Sequence, residues 1–303
     1  MPEIKLDGFL PSEIAIRAED AGVKKASFGI YTMFSLAVLA GAFIALGGVF
    51  ATVVTAPTIA MNSANVLEIS KLPFGIGRVL GGLVFSLGLV LVIVAGAELF
   101  TGNSLIVMAW ASKKVSSLSL LRNWIIVYIG NFVGSLLTAG IMMLTGQYGF
   151  GNGAVGLNVL AIGEAKTSLG FVQAIALGIF CNALVCLAVW LCLSARSTTD
   201  KILAIIFPIT AFVACGFEHC IANMYFIPKA LFLKSIAPNS FWMKIGKTSA
   251  DFPNLTWSNF FLDNLLPVTI GNIIGGGLLV GAAYWFIYLR PKRSPGSPML
   301  RTK

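Results

Sequence analysis

C-G-F-E-H-C-I-A-N, residues 215–223, sets a glutamate beside the chain's only histidine in the middle of a long apolar run. An ionisable side chain at a membrane centre costs roughly 2.5–3.5 kcal/mol on insertion scales, so Glu218 next to His219 marks a functional or specific structural need. The stretch has a twin. Gly216, Glu218 and Asn223 spell G-x-E-x-x-x-x-N, and Gly96, Glu98 and Asn103 spell the same pattern 120 positions earlier in G-A-E-L-F-T-G-N. A second pair follows in the same order: Gly130, Asn131 and Gly134 in G-N-F-V-G-S return as Gly271, Asn272 and Gly275 in G-N-I-I-G-G. Two motifs repeated in one order predict duplicated halves, the internal symmetry found in many transporter folds.

Composition places those halves in a bilayer. Hydrophobic residues make up 57% and charged residues 11% of the 303 residues, with a mean hydropathy of +0.88, which describes a polytopic membrane protein. The apolar runs exceed the roughly 18 residues that mark a spanning helix and lack the alternation of an outer-membrane barrel, so the fold is expected to be all-α. A net charge of +9 would point to nucleic acid in a soluble chain; here its placement sets topology, and no nucleic-acid partner is expected. The five cysteines all fall in apolar runs without metal-ligand spacing and read as small core residues.

Residues 1–32 carry no cleavable signal and are expected to form a cytoplasmic cap. After Pro11, Leu10, Ile14, Ala18 and Ala21 recur at helical spacing while Glu13, Arg17, Lys24 and Lys25 take the other face. That predicts a short helix on the membrane surface. A channel domain over 33–289 follows, with apolar segments at 33–56, 75–110, 118–144, 168–193, 202–233 and 260–289. The second and fifth are far longer than the roughly 20 residues a bilayer core needs, and each holds one glutamate motif, so each is expected to be broken. Unwound backbone at membrane depth is tolerated only inside protein or beside a cavity. Glu98 and Glu218 are therefore read as anchors that accept hydrogen bonds from the freed amides.

Lysines and arginines are about twice as numerous on the side holding the N-terminal segment, the even-numbered loops and the tail as on the other side, which puts both termini in the cytoplasm. Three spans per half must then cross in opposite directions, giving an inverted 3+3 repeat whose two motif loops meet near the midplane. The basic, Pro- and Ser-containing tail, 290–303, shows no apolar pattern and is expected to be disordered, with its charges available to anionic lipid.

The runs L-P-S-E-I-A near the start, G-G-L-V-F-S-L-G-L-V-L-V at 81–92, G-A-E-L-F-T-G-N, G-F-E-H-C-I-A-N-M and N-L-L-P-V-T-I-G-N-I-I-G-G-G at 264–277 resemble those of the formate/nitrite transporter family, most closely its formate channels. The resemblance covers nearly the whole chain. It implies an aquaporin-like six-helix protomer, a homo-pentamer with one pore per protomer in the bacterial inner membrane, and passage of formate or a similar small anion or its conjugate acid. By matching position it implies that Leu99, Phe100 and Thr101 form the loop breaking the second helix and that His219 is the pore histidine. Phe85, Leu89 and Phe212 would be apolar constrictions, together with Leu99 and Phe100. Asn272 would be a polar partner near the histidine, and Lys166 a basic residue that attracts anions at the periplasmic mouth.

The chemistry of these residues agrees. An unpaired anion in a slit lined by Phe and Leu costs far more than a binding site returns, whereas its neutral acid passes readily. A histidine titrates near neutral pH and can donate a hydrogen bond or a proton, and the Thr101 hydroxyl would hold the same substrate oxygen. Nitrite, hydrosulfide or lactate would suit the same site, and a neutral-solute channel would suit the same architecture. An enzyme would need parts that are missing: one histidine excludes a bis-histidine haem or an H-E-x-x-H zinc site, and no Gly-rich phosphate loop precedes a helix. No metal and no cofactor are expected.

Overall fold

The computed structural model describes residues 7–61 and 67–291. Residues 1–6, 62–66 and 292–303 lie outside them, and with the last group most of the expected disordered tail. Helix α1, Pro11–Ala26, opens with proline at its first position, where the missing N–H costs nothing, and with the Glu13 carboxylate accepting the Leu10 amide at 2.8 Å. Next come α2, Ile30–Val54; a hairpin of β1, Thr58–Met61, and β2, Leu67–Ser70; α3, Phe74–Val90; α4, Ile106–Ala111; and α5, Ser117–Leu144. The second half runs through α6, Ala154–Thr167; α7, Phe171–Ser194; α8, Thr198–Cys215; α9, Cys220–Ile236; and α10, Asn239–Ile245. It ends in α11, Trp257–Leu289, in which α-helical turns alternate with wider π turns.

Among the described residues, six helical segments are long and apolar enough to cross a membrane, namely α2, α3 with its π-helical extension to Gly96, α5, α7, α8 and α11. The expected breaks are present. The run 75–110 splits into α3 and α4 around a loop at 97–101, and the run 202–233 splits into α8 and α9 around 216–219. Each break opens on a glycine in the left-handed region, Gly96 at φ +85° and Gly216 at φ +76°, which glycine adopts without the steric cost that a Cβ imposes. The antiparallel hairpin, Thr58 opposite Ser70, departs from a purely helical reading; strands of four residues are too short to leave a periodic signal.

Backbone contact without intervening side chains brings the helices together. A Cβ at Gly134 of α5 would lie 1.9 Å from the Val38 carbonyl of α2, and one at Gly275 of α11 would lie 2.0 Å from the Ile179 carbonyl of α7. With no hydrophobic drive between helices in lipid, such close approach is what van der Waals packing requires. The α2–α5 and α7–α11 crossings are the same contact made once in each half.

Helix α1 does not lie free on a surface. Ile14, Ala15, Ala18, Glu19, Gly22 and Ala26 are buried against α4 and α7, while Leu10, assigned to the apolar face, is 66% exposed. Lys25, expected on the outer polar face, points inward to Glu98. The helix is rotated because its small residues, more than its larger apolar ones, permit close packing on the bundle.

Candidate functional site

The two motif loops are held by matching sets of bonds. In the first, the Asn131 side chain accepts the Phe100 amide at 2.9 Å and donates to the carbonyls of Ala37 at 2.7 Å and Glu98 at 2.9 Å. In the second, Asn272 accepts the Cys220 amide at 2.9 Å and donates to the carbonyls of Gly178 at 2.8 Å and Glu218 at 2.9 Å. The glutamates repeat the theme. Glu98 accepts from Lys25 at 2.6 Å and Asn103 at 2.7 Å, and Glu218 accepts from Lys166 at 2.8 Å and Asn223 at 2.7 Å. Asn103 donates on to Asn123, and Asn223 to Asn264. Every buried amide and carbonyl named here would cost about 1–3 kcal/mol if left unpaired, which is why uncoiled backbone persists at this depth.

These contacts refine the expected roles. The glutamates accept from a lysine and an asparagine side chain rather than from the freed amides that were expected as their partners. Asn272 does not bond the imidazole; it holds the backbone on both sides of it. Lys166 is in an ion pair whose side chains are 18% and 7% exposed, so its charge is largely committed to Glu218. Lys25 and Asn123 were missed as site residues. Shifting the Gly-Asn motif of the first half onto that of the second also aligns Lys25 with Lys166 and Asn123 with Asn264, and that one offset would have found both. Outside the spans, Lys114 ties α1 to the bundle through Glu19, and this hydrogen bond raises the ammonium above its ordinary range.

At the centre the symmetry of the frame meets unlike side chains. His219 is the N-cap of α9 and its Nδ1 accepts the Ala222 amide at 3.1 Å. An amide only donates, so Nδ1 is unprotonated and in the neutral ring the proton is on Nε2. That Nε2–H donates to the Thr101 hydroxyl at 3.0 Å, leaving the hydroxyl hydrogen free for another acceptor. The bond joins the two broken helices directly, with His219 at 3% and Thr101 at 0% exposure. The Phe212 ring lies over the imidazole with centroids 5.9 Å apart, and Phe85 meets Phe212 edge-on at 5.7 Å.

A cavity of about 480 Å³ reaches down to Phe85, Phe212 and His219 from one side; a smaller one of about 160 Å³, lined by Lys25, Gly102 and Lys201 among others, approaches from the loop around Thr101. Leu89, Leu99, Phe100 and Thr101 line neither and are buried. Leu89 and Leu99 belong to the buried apolar core, while Phe100 packs against Tyr128 and Trp124, at 4.9 and 6.0 Å between centroids. Among the described residues, no three His, Cys, Asp or Glu side chains gather as a metal-binding group.

A family model described as formate/nitrite transporter matches residues 12–286. The formate channel FocA of Escherichia coli (strain K12) is 47% identical over 284 residues, spanning 94% of this chain and 96% of the relative. FocA of Haemophilus influenzae is 40% identical over 271 residues, 89% and 92% of the two chains. A solved structure described as a pentameric formate channel with formate bound has a TM-score of 0.78 and 48% identity, covering 86% of this chain and 98% of that one.

Proposed function

The chain belongs to the formate/nitrite transporter family, and on that premise we propose that it is a formate channel of the bacterial inner membrane, a pentamer with a pore in each protomer and both termini in the cytoplasm. The observation that carries this reading is the Thr101–His219 hydrogen bond at 3.0 Å, buried beyond the floor of an open cavity and walled by Phe85 and Phe212. The relatives named formate channel and the neighbour described as a pentameric formate channel with formate bound support substrate and assembly. Three spans in each half and the repeated hydrogen-bond sets support an inverted 3+3 arrangement.

An anion entering the cavity meets apolar rings that exclude water and then polar hydrogens at the bottom. The Thr101 hydroxyl donates to one carboxylate oxygen. When the Thr101–His219 contact opens, Nε2–H donates to the other. Both bonds strengthen as solvent is excluded, because the effective dielectric falls. Complete neutralisation of formate needs a proton beyond the single Nε2–H of the neutral ring. That second proton can enter only at Nδ1, whose lone pair caps Ala222, so formation of the imidazolium is coupled to loss of the first-turn cap of α9. Proton transfer from Nε2 to formate then produces formic acid, which crosses the apolar zone, and leaves a neutral ring protonated at Nδ1; uptake of one proton at Nε2 and release of the Nδ1 proton to solvent restore the resting tautomer as the cap reforms.

Formate uptake into proteoliposomes across external pH 5–8, for wild type and His219→Leu, tests this. Saturable uptake with a pH dependence that flattens in the variant, at a rate at least about tenfold lower, is expected from loss of a charge-assisted hydrogen bond. Unchanged uptake and unchanged pH dependence would remove the histidine from the mechanism. Competition by nitrite, hydrosulfide and lactate, and flux of glycerol as a neutral solute, rank the remaining substrates.

A further inference from the structure

The large cavity is lined by three cations, Lys71, Arg78 and Lys166, and one of them is already paired. Lys166 donates to Glu218 at 2.8 Å, and the pair together contributes no net charge. The remaining positive charges on its wall are Lys71, which is exposed and has no partner among the described residues, and Arg78. Among the described residues Glu218 is the only carboxylate on the wall, so their side chains give the cavity an excess of two positive charges before the histidine is considered.

Arg78 is fixed where Lys71 is not. Its Nε donates to the Ala214 carbonyl at 2.8 Å, in the last turn of α8, and its Nη2 lies 2.5 Å from where a Cβ on Gly216 would be. The guanidinium therefore rests on the loop that ends at His219. This position has two electrostatic consequences. The C-terminus of α8 carries a partial negative charge, which would repel an anion on its way to the histidine, and Arg78, bound to the Ala214 carbonyl there, offsets it. The guanidinium has five N–H donors, of which Nε is bound to Ala214. The terminal nitrogens are left in a planar fork that matches two carboxylate oxygens. Half-exposed beside the cavity and tethered at one end, the group is preorganised for an anion in a way that a freely rotating surface lysine is not.

We infer that Arg78 is an anion-binding residue of this cavity, holding a small monovalent oxyanion such as a carboxylate above the Phe85–Phe212 pair before it reaches His219. The inference rests on the formate-channel reading for the identity of the anion. Arg78 acts on capture, His219 on passage. Removing Arg78 thus raises the concentration at which flux saturates, while the maximal rate stays close to wild type.

The test uses the full-length protein, with Arg78→Gln and Arg78→Lys, each checked for wild-type assembly by size exclusion. Uptake of formate into proteoliposomes at pH 7 is measured against concentration, and binding is measured separately by saturation-transfer NMR of formate with the detergent-solubilised protein. Loss of one charged hydrogen-bonding partner predicts a half-saturating concentration about tenfold higher in Arg78→Gln, with a maximal rate within about twofold of wild type. Arg78→Lys restores capture to within about threefold. An unchanged half-saturation and binding constant in Arg78→Gln overturns the inference. A raised half-saturation in Arg78→Gln with formate binding unchanged in the NMR assay overturns it too, because the residue would then act only as a cap for α8. Wild type that binds formate with dependence on Arg78 but does not transport it would leave this site in place and remove the channel reading; wild type that neither binds nor transports formate removes both.

Discussion

The loop around Glu98 and the loop around Glu218 are built alike and do different work. Both start at a left-handed glycine, both have their backbone held by an asparagine from a distant helix, and both place a glutamate between a lysine and another asparagine. Where the second loop has His219, Cys220 and Ile221, the first has Leu99, Phe100 and Thr101. The frame is the expensive part, since it must satisfy backbone polar groups in the absence of water, and it recurs. The chemistry lies in single side chains laid on that frame, and the two halves meet through one unsymmetrical bond, Thr101 to His219.

If the frames are equivalent, destroying either should be equally damaging, and this is the largest effect expected. Asn131→Ala and Asn272→Ala each strand one amide and two carbonyls, for a loss of about 3 kcal/mol or more, read as a lower unfolding midpoint in detergent and a lower yield of folded protein. One of the two proving as stable as wild type would break the equivalence.

The ion pairs should separate the halves by degree. Removing one partner of a buried pair costs about 3–5 kcal/mol, but solvent reduces this where the pair is wetted. The Lys166 side chain is 18% exposed and that of Lys25 is 31% exposed, so Lys166→Met should destabilise by about 2 kcal/mol and Lys25→Met by about 1 kcal/mol, after that discount. The reverse order in denaturation midpoints would mean that α1 bears more of the load than its exposure indicates.

His219→Leu makes the second loop resemble the first at its central position. Its stability cost is that of an N-cap, about 1 kcal/mol, whereas formate uptake should fall at least about tenfold and lose its pH dependence. The companion change Leu99→His in that background should not restore uptake, since a histidine on the first loop faces Ile221 rather than a hydroxyl at the matching position. Recovery of flux in the double variant would show the loops to be interchangeable. The smallest effect is that of Thr101→Val, which keeps shape but removes the hydroxyl. Uptake should drop about fivefold, the worth of one neutral hydrogen bond, and the His219 imidazole NMR resonances should shift as Nε2 loses its acceptor.

Much of this was legible in the chain. The glutamate motifs predicted both helix breaks, and the Gly-Asn motifs marked the two helix crossings, because a polar residue in a long apolar run and a small residue at a contact are local signals. Lys25 was placed on the outer face of α1 because a charged residue was read as solvent-facing, whereas the buried face runs through Ile14, Ala15, Ala18, Gly22 and Ala26 and carries Lys25 in to Glu98. The resemblance grouped Phe100 with the constrictions; that its ring packs on Tyr128 and Trp124 of α5 is a contact between distant segments that matching by position does not carry. The hairpin at 58–70 was not foreseen at all.

By itself the sequence determined that this is a six-span membrane protein with two broken helices, a duplicated plan and one central histidine, since hydropathy and repetition are properties of the chain in order. Only the tertiary structure decided that Lys166 is bound to Glu218, that Asn272 serves the backbone and not the imidazole, and that Arg78 rests over the loop leading to His219. A charge finds its partner through the rotation and crossing of helices far apart in the chain, and spacing along one helix does not encode which side chain of another it will meet.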